Sequence, residues 1–276
     1  MKKIYIYTIL TVLLFSNCEK VVDIDVPTIE PKLIIDASFE VLFNESPARA
    51  NVVVKLKLST DYFDDTIPTV SNAVVFLTNT ADNTVINFSD VNLNGNFTPI
   101  INFIPKDATE YELTVIYKNE IYKGNATKVK STQIDSAIQG DETLFSGKEI
   151  EVKVAFKDNV DNENYYLFNF TNNLFLPLED RFFNGTNYNF SFFYQEEEIE
   201  VPTNVTVTMS GITKDYFIYF RILQNQSGTS GGGPFQSVPS SLLGNIINTT
   251  NEDNFPLGYF HISETDTINL GLVEKN

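Results

Sequence analysis

Hydrophobic and polar residues alternate along much of the chain with a period of two, which is typical of β-strands. In residues 51–58, Val52, Val54, Leu56 and Leu58 share one face while lysines occupy the other. Other short apolar or alternating segments, with turn residues between them, occur at 33–39, 72–79, 110–117, 121–124, 150–156, 165–170, 188–194, 204–209, 257–262 and 267–272. Strands of this length and spacing predict an all-β protein.

The strands fall into two groups, and we predict two packed units. Residues 32–131 have the length and turn spacing of one immunoglobulin-like β-sandwich. Their turn at 94–97, followed by the alternating strand at 110–117, is similar to transthyretin-like modules. Residues 132–276 predict a second β-rich domain. Within it, residues 175–187 show little periodicity, and we predict a loop there.

One segment of the second unit has helical periodicity. Tyr216, Phe220 and Leu223 fall on one face of a helix, and Thr213 stands before it as a candidate N-cap. Asp215 suits the positive start of a helix. We predict a helix that ends by Gly228. It could bind a partner or fill the core, and core filling is the commoner use of such a face.

The N-terminus predicts export and lipid attachment. Lys2 and Lys3 precede an apolar run over residues 4–15, which is short for a membrane span and typical of a signal peptide. Residues 13–18 resemble the lipobox of bacterial lipoproteins, in which the cysteine is lipidated. We therefore predict a signal peptide at 1–17 and a lipidated Cys18 with a tether at 18–31. Asn17 departs from the usual small residue before the cysteine, and a plain secretory signal is the alternative.

Composition narrows the classes of partner. The formal net charge of −17 opposes binding to nucleic acid and to a negatively charged lipid surface, so we predict no nucleic-acid partner. Arginine, the usual bidentate ligand of phosphate, is scarce. Cys18 is the one cysteine, so the fold does not depend on disulfides. The 23 Phe and 13 Tyr residues predict aromatic packing on sheet faces.

The motifs expected of an enzyme are missing from the sequence. His261 is the one histidine, and its place between Phe260 and Ile262 in a predicted strand favours a structural role. A zinc site needs several His or Cys ligands. The acidic runs near residues 61–65 and 158–163 lack EF-hand spacing and predict solvated turns. We therefore predict no enzyme activity, no cofactor and no metal site, with a carboxylate-only glycosidase as the alternative.

Two regions are candidates for contact with a ligand or partner. The first is a Gly- and Ser-rich loop that lacks the Lys-Ser or Lys-Thr of a phosphate-binding loop, and its candidate residues are Gly231, Gly232, Gly233 and Phe235. The second is an aromatic stretch containing Phe182, Phe183 and Tyr188. Mobile loops often touch ligands, and exposed aromatic rings can stack on sugars or grip peptides. Core packing is the alternative for each aromatic residue.

A family resemblance rests on several segments taken together. They are the lipobox, residues 26–35, the helix start at 212–219, and the late segments 233–235, 244–246 and 257–260. With these segments the chain resembles the Bacteroidetes outer-membrane lipoproteins of domain-of-unknown-function family 4249 (DUF4249) over nearly its whole length. Members are typically encoded beside TonB-dependent receptors. The family has no established catalytic residues to carry over.

The resemblance implies a non-enzymatic accessory that helps a TonB-dependent receptor to capture or retain its substrate. It also implies a lipid-anchored protein of the outer membrane. Acidic residues after Cys18 resemble a surface-export signal, so we expect the cell surface, with the periplasmic face as the alternative. The alternative function is a structural or adhesive surface lipoprotein with no transport partner.

Overall fold

The computed structural model describes residues 30–61, 64, 66–160, 162–227 and 242–274, and strands dominate these residues. The strands of the first half are β1 (Leu33–Leu42), β2 (Arg49–Leu58), β3 (Val74–Asn79), β4 (Val85–Ser89), β5 (Asn96–Pro99), β6 (Glu110–Tyr117) and β7 (Glu120–Val129). The strands of the second half are β8 (Ile134–Gln139), β9 (Ile150–Lys157), β10 (Tyr165–Phe170), β11 (Phe175–Glu179), β12 (Asn187–Tyr194), β13 (Thr203–Ile212), β14 (Ile246–Asn248) and β15 (Leu257–Leu272). A 3₁₀ turn (Asp180–Phe182) and the helix α1 (Lys214–Gln226) complete the described elements. The predicted all-β class is confirmed.

The first seven strands and the first half of β15 form a closed ring. The strand order is β15-β1-β2-β5-β4-β3-β6-β7, and β7 returns to β15 through parallel pairing of Lys128 with Ile262. Alternate side chains point into the ring and are fully buried, among them Ile35, Phe39 and Phe260. Closure leaves β1 paired on both sides, and the outer side of β7 pairs with β14 at residues 122–124 and with β15 at residues 128–129.

The long strand β15 belongs to two sheet regions at once. It runs parallel to β1 from Leu257 to Thr265 and antiparallel to β13 from Thr265 to Leu272. Consequently β15 and β14, both in the predicted second domain, pair with strands of the predicted first domain.

The second half of the protein is a sandwich of two unequal sheets, which we call the aromatic sandwich. Four strands, in the order β11-β10-β13-β15, face three strands in the order β12-β9-β8. The space between them is filled largely by rings, including the buried Phe156, Phe168, Phe170 and Tyr194. On the other face of β10 and β11 lies α1.

The helix prediction is confirmed. Tyr216, Phe217 and Phe220 are buried against the sheet. The side chain of Thr213 accepts a hydrogen bond from the backbone N–H of Tyr216 at 3.1 Å, which makes it the N-cap. The core-filling interpretation is therefore correct for these three residues, whereas Leu223, predicted on the same face, is 40% exposed.

Two local predictions are wrong. Residues 175–187, predicted as a loop, contain the strand β11 and the 3₁₀ turn. The period of two is hidden there because Pro177 and Phe175 lie on the face opposite Leu176 and Leu178, so both faces are apolar. The predicted turn at 94–97 includes the start of β5, a strand too short to produce a visible alternation.

Candidate functional site: an aromatic sheet edge

The structure separates the three aromatic residues predicted as contact candidates. Phe182 is 88% exposed, whereas Phe183 is 7% exposed and Tyr188 is half-buried. The rings of Phe183 and Tyr188 stack with centroids 3.9 Å apart and an interplanar angle of 14°. Phe156 meets Phe183 edge to face at 5.7 Å. Phe183 therefore serves the core, and Phe182 remains available for contact.

Cys18 and the glycine-rich loop residues Gly231, Gly232, Gly233 and Phe235 lie outside the described residues. Their roles stay predictions.

Strand β12 presents a row of rings to the opposite sheet. Tyr188, Phe190, Phe192 and Tyr194 alternate along one face of β12 and pack against the aromatic core. Phe192 stacks on Phe170 at 3.9 Å with an interplanar angle of 4°, and the hydroxyl of Tyr194 donates to the Phe170 carbonyl at 2.9 Å. Phe156 of β9 also meets Phe168 of β10, with centroids 5.6 Å apart, so both β9 and β12 pack over β10 and β12 lies on the side towards β11.

β11 is the edge strand of the larger sheet, and it lies next to β10 on the same side as the β12 edge of the three-stranded sheet. Leu176 and Leu178 lie opposite Phe168 and Tyr166 in the β10–β11 pairing and share their inward face. Both leucines are half-buried, as are Tyr188, Phe190 and Phe192 across from them. Within the described residues, the three-stranded sheet has no strand above β11. The second sheet therefore ends beside this side of the sandwich, although Ile199 and Val201 of the connection after β12 also pack against the core. We call the space beside β12 and above β11 the open lane.

Buried carboxylates fix the chain where it crosses from β11 to β12. Asp158 accepts hydrogen bonds from the Tyr166 hydroxyl at 2.6 Å and from the Gly185 N–H at 2.8 Å. Asp180 accepts from the Asn164 N–H at 2.7 Å. Burial raises the pKa of Asp180, and burial together with the Asp158 carboxylate raises the pKa of the Tyr166 hydroxyl. The crossover that carries Phe182 is thus held at both ends.

The middle of β12 is tied to β9 by a third buried carboxylate. Glu151 is fully buried and accepts from the Ser191 hydroxyl at 2.6 Å and from the Glu142 N–H at 2.9 Å. Burial acts to raise the pKa of Glu151, but these hydrogen bonds and nearby Lys153 outweigh it and hold the pKa below its usual value. These hydrogen bonds tie β12, which lies beside the open lane, to β9.

A second concave region lies at the seam where β7 and β15 separate. It is a cavity of about 440 Å³ with a mixed polar and aromatic lining that includes Thr213, Asp215, Tyr259 and His261. The His261 ring stacks on Tyr216 at 4.3 Å, and its Nδ1 lies 3.2 Å from the Ser263 hydroxyl. Burial lowers the pKa of His261 to about 4, so the ring is neutral at pH 7. This packing fits the predicted structural role.

Comparison with known proteins identifies the class. The chain matches the family model described as domain of unknown function (DUF4249) over residues 19–269. The protein therefore belongs to the DUF4249 family. No curated protein matches the chain. The chicken interferon gamma receptor alpha chain, a solved structure, matches with 11% identity, a TM-score of 0.18, and coverage of 66% of this chain and 88% of that chain. A similarity this weak carries no argument.

Two further properties of the described residues concern membranes and metal ions. No helix there is long and apolar enough to cross a membrane. No group of three or more His, Cys, Asp or Glu side chains in the described part of the chain is arranged to hold a metal ion.

Sequence reasoning found the aromatic stretch but missed the feature that opens it. The period of two in residues 188–194 was visible and predicted the strand. The position of Leu176 and Leu178 below the open lane was hidden by the wrong loop prediction at 175–187. The signal that could have revealed β11 is Pro177, because a proline within an apolar run is typical of an edge strand.

Proposed function

We propose that this protein is a lipoprotein of the outer membrane, anchored through Cys18, that acts as a non-enzymatic accessory of a TonB-dependent receptor. In this role it helps the receptor to bind or retain its substrate. The observation that carries the proposal is membership of the DUF4249 family, whose match starts at residue 19, directly after Cys18. The link to the receptor comes from the resemblance, since such lipoproteins are typically encoded beside these receptors.

The proposed location follows from the N-terminal segment. A lipidated cysteine followed by an acidic tether supports attachment to the outer membrane with the folded part on the cell surface. The periplasmic face is the alternative. Two or more acyl chains would anchor the protein stably, whereas a single chain would bind only reversibly.

The proposed contact region is the aromatic edge formed by β11, β12 and the crossover that carries Phe182. An exposed ring next to half-buried rings supports a recognition role, because aromatic residues are enriched where protein surfaces bind partners. The glycine-rich loop at Gly231, Gly232, Gly233 and Phe235 stays a second predicted contact.

Copurification tests the proposal. The native protein is purified from detergent-solubilised outer membrane, and the proteins bound to it are identified and quantified by mass spectrometry. We expect a TonB-dependent receptor in stoichiometric amount. The Cys18→Ser variant is the control, because it removes lipidation and should lose membrane attachment. A native protein that elutes alone under mild detergent would contradict the receptor partnership and favour the structural or adhesive alternative.

A further inference from the structure

We infer that the free edge of β12 binds an extended strand of a partner protein, which fills the open lane and completes the second sheet above β11. The inference deepens the proposed function and rests on it for the identity of the partner alone. The mode of binding is argued from the edges of the sandwich, and it applies to any partner.

The backbone of β12 points half of its hydrogen-bonding groups away from the protein. The N–H of Asp158 donates to the Thr186 carbonyl at 3.0 Å, and the register between β12 and β9 continues unbroken from Asn187 to Tyr194. Hydrogen-bonded pairs alternate in an antiparallel ladder. The even-numbered residues of β12 therefore bond to β9. The N–H and C=O groups of the odd-numbered residues point into the open lane. No described strand pairs with these residues, which are Asn187, Asn189, Ser191 and Phe193.

The strand β12 itself carries none of the sequence features that usually protect a sheet edge. Proteins blunt such edges with charged residues, proline, bulges or very short strands. β12 has eight residues in regular register, Asn-Tyr-Asn-Phe-Ser-Phe-Phe-Tyr, with no charge and no proline. A long, neutral and regular edge is a template for strand addition.

The other edge strands of the described sheets are protected. In β11, Pro177 has no N–H, and the Phe175 carbonyl accepts from the Gln224 side chain at 3.0 Å. In β8, Asp266 accepts from the Ile134 N–H at 2.7 Å, and Gln139 exchanges two hydrogen bonds with Val273 at 2.8 Å each. β14 is only three residues long. β12 is therefore an exception within its own fold.

The open lane offers an apolar floor and wall to an incoming strand. Leu176 and Leu178 lie below it, and Phe190 and Phe192 lie beside it, all half-buried. Alternate side chains of an added strand would point down onto these four residues, since side chains alternate across a strand. The partner strand is thus apolar at alternate positions, and backbone hydrogen bonds supply the rest of the affinity.

Charge favours a different protein over a second copy of this chain. The formal net charge of −17 makes two copies repel each other. At the end of β12 the chain continues through Glu196, Glu197, Glu198 and Glu200, with Lys148 paired to Glu196 at 2.7 Å. A partner segment with lysine or arginine at that end of its strand would meet the exposed Glu197 and Glu200. The occupant is an extended, apolar segment with basic flanking residues.

Photocrosslinking in the native membrane tests the inference. The photoreactive analogue p-benzoylphenylalanine replaces Phe193, which lies on β12 among the residues whose backbone faces the lane. We expect a covalent adduct with another protein, mapped by mass spectrometry to one continuous segment that is apolar at alternate positions. In the same background, Asn189→Pro removes one outward N–H and should lower the yield about tenfold, whereas Asn189→Ala keeps that N–H and should leave the yield unchanged.

Each contrary outcome overturns the inference. An adduct with a second copy of this chain, an adduct spread over several segments, or the absence of an adduct contradicts strand addition by a partner. So does a yield that Asn189→Pro leaves unchanged. Circular dichroism of both Asn189 variants checks that the fold survives. If the proline variant does not fold, the composition and continuity of the mapped segment decide.

The same experiment keeps the two proposals apart. If the mapped segment belongs to a protein other than a TonB-dependent receptor, the proposed function fails while strand addition stands. If the receptor copurifies but forms no adduct at β12, strand addition fails while the proposed function stands.

Discussion

The closed ring of strands and the aromatic sandwich share β15, but they differ in whether their edge strands are paired. In the ring, β7 closes onto β15, and the buried set is rich in aliphatic residues around Phe39, Phe88 and Phe260. In the aromatic sandwich, three strands face four, and rings fill the space between them. The outer side of β7 thus pairs with β14 at residues 122–124 and with β15 at residues 128–129, whereas no described strand pairs with the outer side of β12.

This difference suggests that the closed ring of strands provides stability and that the aromatic sandwich provides a surface for recognition. Closed sheets expose no backbone template to other chains, so the ring suits a scaffold. An open edge beside half-buried rings suits binding, because a partner strand gains both backbone hydrogen bonds and apolar contacts. Each aromatic side chain also buries a large surface area, so the aromatic sandwich keeps a core although one of its sheets has only three strands.

The largest expected effect is loss of a core ring. Phe39 is fully buried and contacts Phe88 and Phe260 at centroid distances of 5.8 and 5.1 Å. Phe39→Ala should lower the free energy of unfolding by about 3–5 kcal/mol, measured by urea denaturation. Because β15 joins both regions, one cooperative transition is expected. The control Phe182→Ala, at an exposed ring, should change it by less than about 0.5 kcal/mol. Equal effects of the two variants would contradict the assigned core.

Two glycines of β15 give a matched pair, one in each region. Gly258 has φ +103°, and an added Cβ would lie 2.1 Å from the Ile35 carbonyl oxygen. Gly271 has its nearest neighbour at 3.4 Å, the Asn204 side chain. Gly258→Ala should cost about 3 kcal/mol, and Gly271→Ala less than about 1 kcal/mol, by urea denaturation. A harmless Gly258→Ala would contradict the close pairing of β1 with β15.

Acid should lower the free energy of unfolding through His261, which lies where β7 and β15 separate. Its pKa falls from 6.5 in the unfolded chain to about 4 in the fold. Between these values the unfolded state binds the proton and the folded state does not, so stability is complete above pH 6.5 and is lost as pH falls towards 4. By pH 5 the loss from this group is about 2 kcal/mol.

Urea denaturation at pH 8 and pH 5 measures this effect. His261→Gln is the comparison, because glutamine does not titrate. Burial raises the pKa of nearby Glu40, which acts in the opposite direction in both proteins. The difference between wild type and variant isolates the histidine. Equal losses in the two proteins would contradict a neutral His261 imidazole in the folded protein.

The smallest expected effect concerns the free edge itself. Asn189→Pro removes an N–H that bonds to no described strand, so it should cost less than about 1 kcal/mol. Phe190→Pro removes an N–H that bonds to β9 and should cost about 3 kcal/mol or more. Thermal unfolding of both variants compares them. Similar losses would contradict the alternation derived for β12.

The sequence predicted the local elements better than their partners. Alternation at 51–58, 110–117, 150–156 and 204–209 corresponds to observed strands, and Thr213 caps the helix as predicted. The pairing of β15 with β1 joins residues more than 200 positions apart, for instance Ile35 with Gly258. Strand alternation fixes a face but not a partner, so this pairing could not be predicted from local pattern.

The candidate site was predictable only in part. Adjacent Phe182 and Phe183 look equivalent in the sequence, yet the turn at Asp180–Phe182 exposes one ring and leaves the other buried. The open lane depends on the number of strands in two facing sheets. That count is a property of the assembled fold, which no single segment encodes.

Amide hydrogen exchange along β12 in the purified protein tests the central claim most directly. The amides of Asn189, Ser191 and Phe193 should exchange quickly, because their N–H groups point into the open lane. The amides of Phe190 and Phe192 should exchange slowly, because they bond to β9. Strong protection of all five amides would show that the lane is already filled and would contradict the account.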